Sequence, residues 1–191
     1  MNAHDPLSGK QAEILDAAMQ AFAAHGYRRC AMDDIARQAG MSRSALYLHY
    51  RNKEDIFRHL VERFMSEAVT GIEAALARPG LTVEAALAAG FAAKDGALIE
   101  MIFASPHGDE LMEAGFTIAA DLIRAAEARK IAALAAWVAN LNPPEDIGPP
   151  EAVARTILTA AMGLKFPGQT LEGYRQGQQH LASLFARALA R

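Results

Sequence analysis

Residues 32–53, MDDIARQAGMSRSALYLHYRNK, decide the fold. Met32 to Ala39 places Ile35 and Ala39 on the inner face of a short helix, and Ala36 is small enough for a second helix to cross closely above it. Gly40 follows, where a helix commonly leaves through a left-handed backbone that a side chain disfavours. Met41 plugs the turn, and the Ser42 hydroxyl is an N-cap for the next helix. That helix is expected from Arg43 to about Tyr50, with Leu46 and Tyr50 facing the core at i, i+4. Arg43, Ser44, Ala45, Tyr47, Leu48 and His49 remain outward. This is the pattern of a helix-turn-helix, whose second helix lies in the DNA major groove. Plain helical hairpins share the same offsets, so the flanks have to decide.

Upstream, Ser8 to Gln11 has the S-x-x-Q form of a capping box. Ile14, Ala18, Ala21 and Phe22 then form an apolar stripe, and Gly26 ends that helix. Downstream, Asn52 can cap a long helix whose first turn carries Glu54 and Asp55, suited to the positive end of the helix dipole. Its stripe is Phe57, Leu60, Val61, Phe64, Ala68, Ile72, Ala75 and Leu76, and Pro79-Gly80 stops it. Three helices followed by a long fourth are expected.

With those elements placed, residues 10–60 resemble the N-terminal domain of the TetR (tetracycline-repressor-like) family. The resemblance rests on Ala21-Phe22, Gly26-Tyr27, Met32-Asp33-Asp34-Ile35-Ala36, Ala39-Gly40-Met41-Ser42, Leu46-Tyr47-Leu48-His49-Tyr50 and Lys53-Glu54. It covers roughly the first third of the chain; the rest matches only in being helical and of the right length. It implies an all-α homodimeric transcription regulator, with an operator-binding head at 1–53 and a helical effector-binding and dimerisation domain at 54–191. By the same resemblance, Tyr47 and Lys53 contact phosphates, His49 lies near the backbone, and Arg43, Ser44, Ala45 and Leu48 face base edges. Arg43 could then pair bidentately with a guanine, and Ala45 and Leu48 could meet a thymine methyl. Where the family often has a hydroxyl pair before the second helix, this chain has Cys30-Ala31, which removes a phosphate contact and the usual N-cap.

Composition agrees with this class. The chain has 191 residues and 52% hydrophobic content, enough for a sizeable core. Residues 1–53 hold seven Lys/Arg against five Asp/Glu, and the remainder twelve against seventeen. A slightly basic head on an acidic body suits DNA, although charge alone would not point there. No apolar run is long enough to span a membrane, no signal peptide is visible, and one cysteine excludes an internal disulfide. A cytoplasmic protein without cofactor is expected.

Beyond Pro79-Gly80, Thr82 can cap a helix from Val83 to about Lys94, and Asp95 to Ala104 continues apolar. Ser105-Pro106-His107-Gly108 breaks it, and 109–140 reads as further helices. NPPEDIGPP at 142–150 is a surface loop, with Pro150 fit for a first helical position. The last two helices, 151–166 and from Thr170 nearly to Arg191, are separated by Pro167-Gly168. Their stripes, including Val153, Ile157, Ala161, Leu164, Tyr174, Leu181 and Phe185, are the candidate dimer contact, or alternatively ordinary core. Phe91, Met101, Phe103, Met112, Phe116, Trp137 and Met162 could line a pocket for a mostly apolar effector, or again be core. Glu100 and His107 beside them could orient a polar group, or lie on a solvated face and in the turn.

Other chemistry is weakly supported. Cys30 and His25 lack a third orienting group for catalysis, although Arg28 and Arg29 could favour a redox-sensing thiolate. The six histidines show no metal-ligand spacing, and no phosphate-binding glycine motif occurs. The expected function is a sequence-specific regulator, a repressor that leaves a palindromic operator when a small molecule binds, and not an enzyme. Two alternatives stay open: a DNA-binding regulator without a small-molecule effector, and a helical enzyme or carrier whose hairpin is structural.

Overall fold

A computed structural model describes residues 9–165 and 168–190, with Ala97 described by its backbone alone. Among these residues the chain is all-α, as its periodicity predicts: nine α-helices, one 3-10 turn and no strand. Ser8, Phe166 and Pro167, read above as part of a capping box and of a helix end, lie outside the described residues.

The first helix, α1 (Gly9–His25), buries Ile14, Ala18, Ala21 and Phe22, and Gly26 leaves it at φ 75°. The second and third, α2 (Met32–Gln38) and α3 (Arg43–Tyr47), form the hairpin. Between them Gly40 sits at φ 63°, with its N–H on the Arg37 carbonyl and the Met41 N–H on that of Ala36. This pairing closes the end of α2 in a Schellman turn. The Ser42 hydroxyl accepts from Ala45 N at 3.1 Å, the cap expected of it. Regular helix stops at Tyr47 rather than Tyr50, because Leu48 and His49 bond back three residues instead of four. Leu46 and Tyr50 are nonetheless buried, as their spacing requires.

The long helix α4 (Lys53–Leu76) is capped by Asn52, which accepts from Asp55 N at 2.8 Å. Phe57 on α4 packs edge-on to Phe22 and Tyr27, with ring centroids 5.3 and 4.9 Å away. The remaining helices are α5 (Val83–Ala104), α6 (Gly108–Ile118), α7 (Ala120–Asn140), α8 (Pro150–Gly163) and α9 (Leu171–Leu189). Thr82 caps α5 and Thr170 caps α9 through their hydroxyls, and Pro150 opens α8 at its first turn. Gly96 interrupts α5 with φ 52° and ψ −153°, a conformation open in practice only to glycine.

Two compact units result. The first gathers the described residues up to Arg63 together with Met101–Ala120; the second holds Phe64–Glu100 and Asp121 onward. Within the first, α6 is tied to the turn after α1: Arg28 N donates to Glu110 at 2.7 Å, and Ser105 donates to the Ala23 carbonyl. Within the second, Leu87, Phe91, Leu134, Val138, Val153, Ile157, Leu158 and Ala182 form one apolar core from α5, α7, α8 and α9.

Candidate functional site

The outward face of α3 and its following turn carries the groups expected there. Arg43, Ser44, Tyr47, Leu48 and His49 are exposed and Ala45 is half-buried. Leu48 is 85% exposed, a cost in water that contact with an apolar base edge would remove. The Arg43 guanidinium lies 5.5 Å from the Tyr47 ring centroid, donates to its hydroxyl at 3.3 Å and approaches Asp33 at 3.3 Å. Exposed ion pairs of this kind contribute little, so the guanidinium can be redirected to a base without large loss.

Lys53 is placed differently from the rest. Its ammonium donates to the carbonyls of Tyr27, Arg28 and Cys30 at 2.8, 2.9 and 3.0 Å, and it lies 4.8 Å from the Tyr27 ring centroid. An ammonium has three protons, and all three are used on main-chain oxygens. A phosphate contact by Lys53 would have to compete with this clamp.

Cys30 is buried, and burial first, then the Asp34 charge, pushes its thiol up to about 11. So little thiolate at neutral pH opposes a sensing role. Ala31 is the N-cap of α2 with no side-chain bond of its own. Its N–H instead donates to Asp34 at 2.9 Å, a bond that holds the Asp34 carboxyl below its usual range. Because Ala31 has extended backbone (φ −105°, ψ 163°), a serine fits there without strain. Ala31→Ser is therefore expected to add about 1 kcal/mol, read from the denaturant midpoint. An unchanged midpoint would mean that Asp34 alone satisfies this helix end.

The seven residues considered for a pocket are divided between the units. Phe91, Trp137 and Met162 belong to the second, with Phe91 buried in its core and Met162 exposed; Met101, Phe103, Met112 and Phe116 belong to the first. None of them lines the cavity of about 420 Å³ that opens between α5 and α9 in the second unit. The walls of that cavity include Asp95, Tyr174, Gln178, Arg175 and Glu100, together with the apolar Ala88, Ala92 and Ile99. Of the sequence candidates, only Glu100, weighed as a polar-ligand group, and Tyr174, weighed as a dimer residue, are found there. His107 lies in the first unit, near Arg29 and Glu110.

Three of these wall residues, Asp95, Tyr174 and Gln178, belong to a buried polar cluster that Lys94 and Lys165 complete from outside the lining. Asp95 receives Lys94 and Lys165 on one oxygen, at 2.7 and 2.9 Å, and Tyr174 and Gln178 on the other, both at 2.6 Å. Burial alone would raise the Asp95 carboxyl, but the two ammoniums and these bonds hold it below its usual range. Burial pushes the Lys94 ammonium down to about 8, with the Lys165 charge adding to the effect. The sequence offers one signal for this cluster, the Lys94-Asp95-Gly96 interruption in an otherwise apolar helix.

Val153, Ile157, Ala161 and Tyr174 are buried within the chain's own second unit, and Leu164, Leu181 and Phe185 are half-buried. The side chains that α8 and α9 leave outward include Met162 and Leu184, the latter 61% exposed.

Residues 14–60 match the family model described as bacterial regulatory proteins, tetR family. The fatty acid metabolism regulator protein of Bacillus subtilis is 36% identical over 64 residues, covering 34% of this chain and 33% of that protein. The transcriptional repressor ComR of Escherichia coli is 37% identical over 79 residues, 41% of this chain and 38% of that one. The chain thus spans about a third of the length of the curated relatives it matches. Among solved structures, SmeT, the repressor of the Stenotrophomonas maltophilia multidrug efflux pump SmeDEF, superposes with a TM-score of 0.69 at 19% identity, over 95% of this chain and 90% of that one. The SmeT–triclosan complex superposes at 0.67 with 18% identity, over 96% and 93%. The hairpin geometry and the match over 14–60 agree: residues 14–60 form an N-terminal domain of the kind found in bacterial regulatory proteins of the tetR family.

Proposed function

We propose that the chain is a homodimeric, sequence-specific regulator of transcription, a repressor that leaves its operator when a small molecule binds the helical body. The observation that carries this reading is the outward face of α3: a free-standing Leu48, an Arg43 held only by weak exposed contacts, and Tyr47 beside it. Repression and small-molecule release are supported by likeness: ComR is a named repressor, and SmeT, a repressor of the same fold, is known in complex with triclosan. A dimer supplies the paired recognition helices that read two half-sites. The outer faces of α8 and α9, with Met162 and Leu184, are its proposed contact. Within such a dimer, a ligand acts by favouring one population over another. α4, one helix from Lys53 to Leu76 that begins in the first unit and ends in the second, is the proposed lever.

The test is selection of the purified protein's preferred sites from a random duplex library at two salt concentrations. An enriched inverted repeat is expected; no enrichment at either salt from folded protein would overturn the reading. On the selected site, Arg43→Ala should cost about 1–3 kcal/mol of discrimination at one position per half-site. A loss uniform over all sequences would contradict its role at a base edge.

A further inference from the structure

The cavity between α5 and α9 has a charge balance that selects among ligands. Two ammoniums, Lys94 and Lys165, share a single oxygen of Asp95, and the second oxygen is taken by Tyr174 and Gln178. A carboxylate has about four acceptor sites, so Asp95 is saturated and offers nothing to an incoming cation. Lys94, Lys165 and Asp95 together therefore carry one net positive charge; the Lys94 side chain, which also donates to the Tyr174 hydroxyl at 3.2 Å, is 4% exposed, and that of Lys165 25%. Uncompensated charge away from water is costly, and an anion brought alongside relieves it.

The cavity wall provides for both ends of such a ligand. Arg175 is paired with Glu100, but both side chains are more than half exposed, so that pair is weak. A carboxylate can take the place of Glu100 and bind the planar guanidinium with two parallel bonds. Ala88, Ala92 and Ile99 give the cavity an apolar flank. Its volume of about 420 Å³ is in the range of small-molecule sites.

We propose that this cavity binds a small organic monocarboxylate, its charge on Arg175 and in the field of the two lysines that sit on the wall residue Asp95, its apolar body on Ala88, Ala92 and Ile99, and that this ligand class is the effector. The proposal rests on the reading of the chain as a ligand-responsive regulator. It keeps the expected apolar body and adds an anionic end. The low affinity of Lys94 for its proton supports it. The charged groups that act on Lys94 are Asp95 beside it and, from elsewhere in the unit, Lys165 and Lys130. A bound anion would raise Lys94 again, so binding at pH 8.5 takes up protons.

The experiment uses the full chain with benzoate and phenylacetate as probes, and benzamide and benzylammonium as neutral and cationic counterparts, at fixed ionic strength. Both carboxylates should raise the melting temperature with concentration, and neither counterpart should. Lys165→Gln and Arg175→Gln, at partly exposed positions that leave the core intact, should each weaken benzoate binding about tenfold. Calorimetry at pH 8.5 in two buffers should show proton uptake. Benzamide binding as well as benzoate, variants without effect, or no carboxylate binding would each overturn the site. If the protein still selects an inverted repeat, that failure leaves the DNA-binding reading standing. Carboxylate binding that never releases the selected operator would overturn the effector role alone.

Discussion

Lys53→Met is expected to lower stability by about 3 kcal/mol or more, since a bond to a charged group contributes about 1.5–3 kcal/mol and three are lost together. Methionine keeps an unbranched side chain one atom shorter and removes every donor, so the carbonyls of Tyr27, Arg28 and Cys30 lose the single group that gathers them. Those carbonyls lie in the turn that joins α1 to α2, the first helix of the hairpin. A thermal melt should show the loss directly. The second measurement is the slope of log DNA affinity against log salt, taken at a temperature where the variant remains folded. A phosphate contact by Lys53 would reduce that slope by about 0.9. With its three protons on main-chain oxygens, the slope should stay the same. An unchanged melt with a shallower slope would overturn the clamp and give Lys53 back its place at the DNA backbone.

The difference between Lys53 and Arg43 shows what a sequence can reveal about such a head. Gly40, Met41, Ser42 and Leu46 act over five or fewer residues, through a left-handed turn, a cap and one helical period. Such local rules are read from spacing, and the inward and outward faces of the hairpin follow from them. The partners of Lys53 are 23 to 26 residues away, and they are main-chain carbonyls that no side-chain pattern announces. The cavity is more distant still. Asp95 meets Tyr174 and Gln178 across 79 and 83 residues, through the packing of α5 against α9. Large apolar side chains in the middle helices drew attention as pocket candidates because they are conspicuous. The cavity wall instead uses alanines, glutamines and a saturated carboxylate. The same reasoning applies to α8 and α9, whose strongest stripes are spent on their own core, as amphipathic periodicity cannot say which apolar surface lies opposite.

Gly108→Ala is the substitution for which packing leaves least room. A Cβ at this buried position would stand 2.2 Å from the Ile102 carbonyl oxygen and 3.1 Å from its carbon. Those are main-chain atoms in the last turn of α5, and they cannot rotate aside as a side-chain end would. The obstacle is space and not torsion, since Gly108 is outside the positive-φ glycines. Relief requires α5 to unwind at its end or α6 to shift, and a shift of α6 strains the bond from Arg28 N to Glu110. The expected cost is about 3 kcal/mol, at the upper end of overpacking, and in a chain of this size it lowers the melting temperature by about 6–12 °C. Gly115→Ala on the same helix is the control, because a Cβ there meets nothing within 4 Å. It should be neutral or raise stability by up to about 1 kcal/mol through helix propensity. DNA affinity of the two variants then separates a role for α6 from its mere presence. If Gly108→Ala weakens operator binding below its melting transition while Gly115→Ala does not, the corner between α5 and α6 sets the position of the α1–α2 turn. If Gly108→Ala melts with the parent chain, the close approach to Ile102 is not a constraint and the corner is free to adjust.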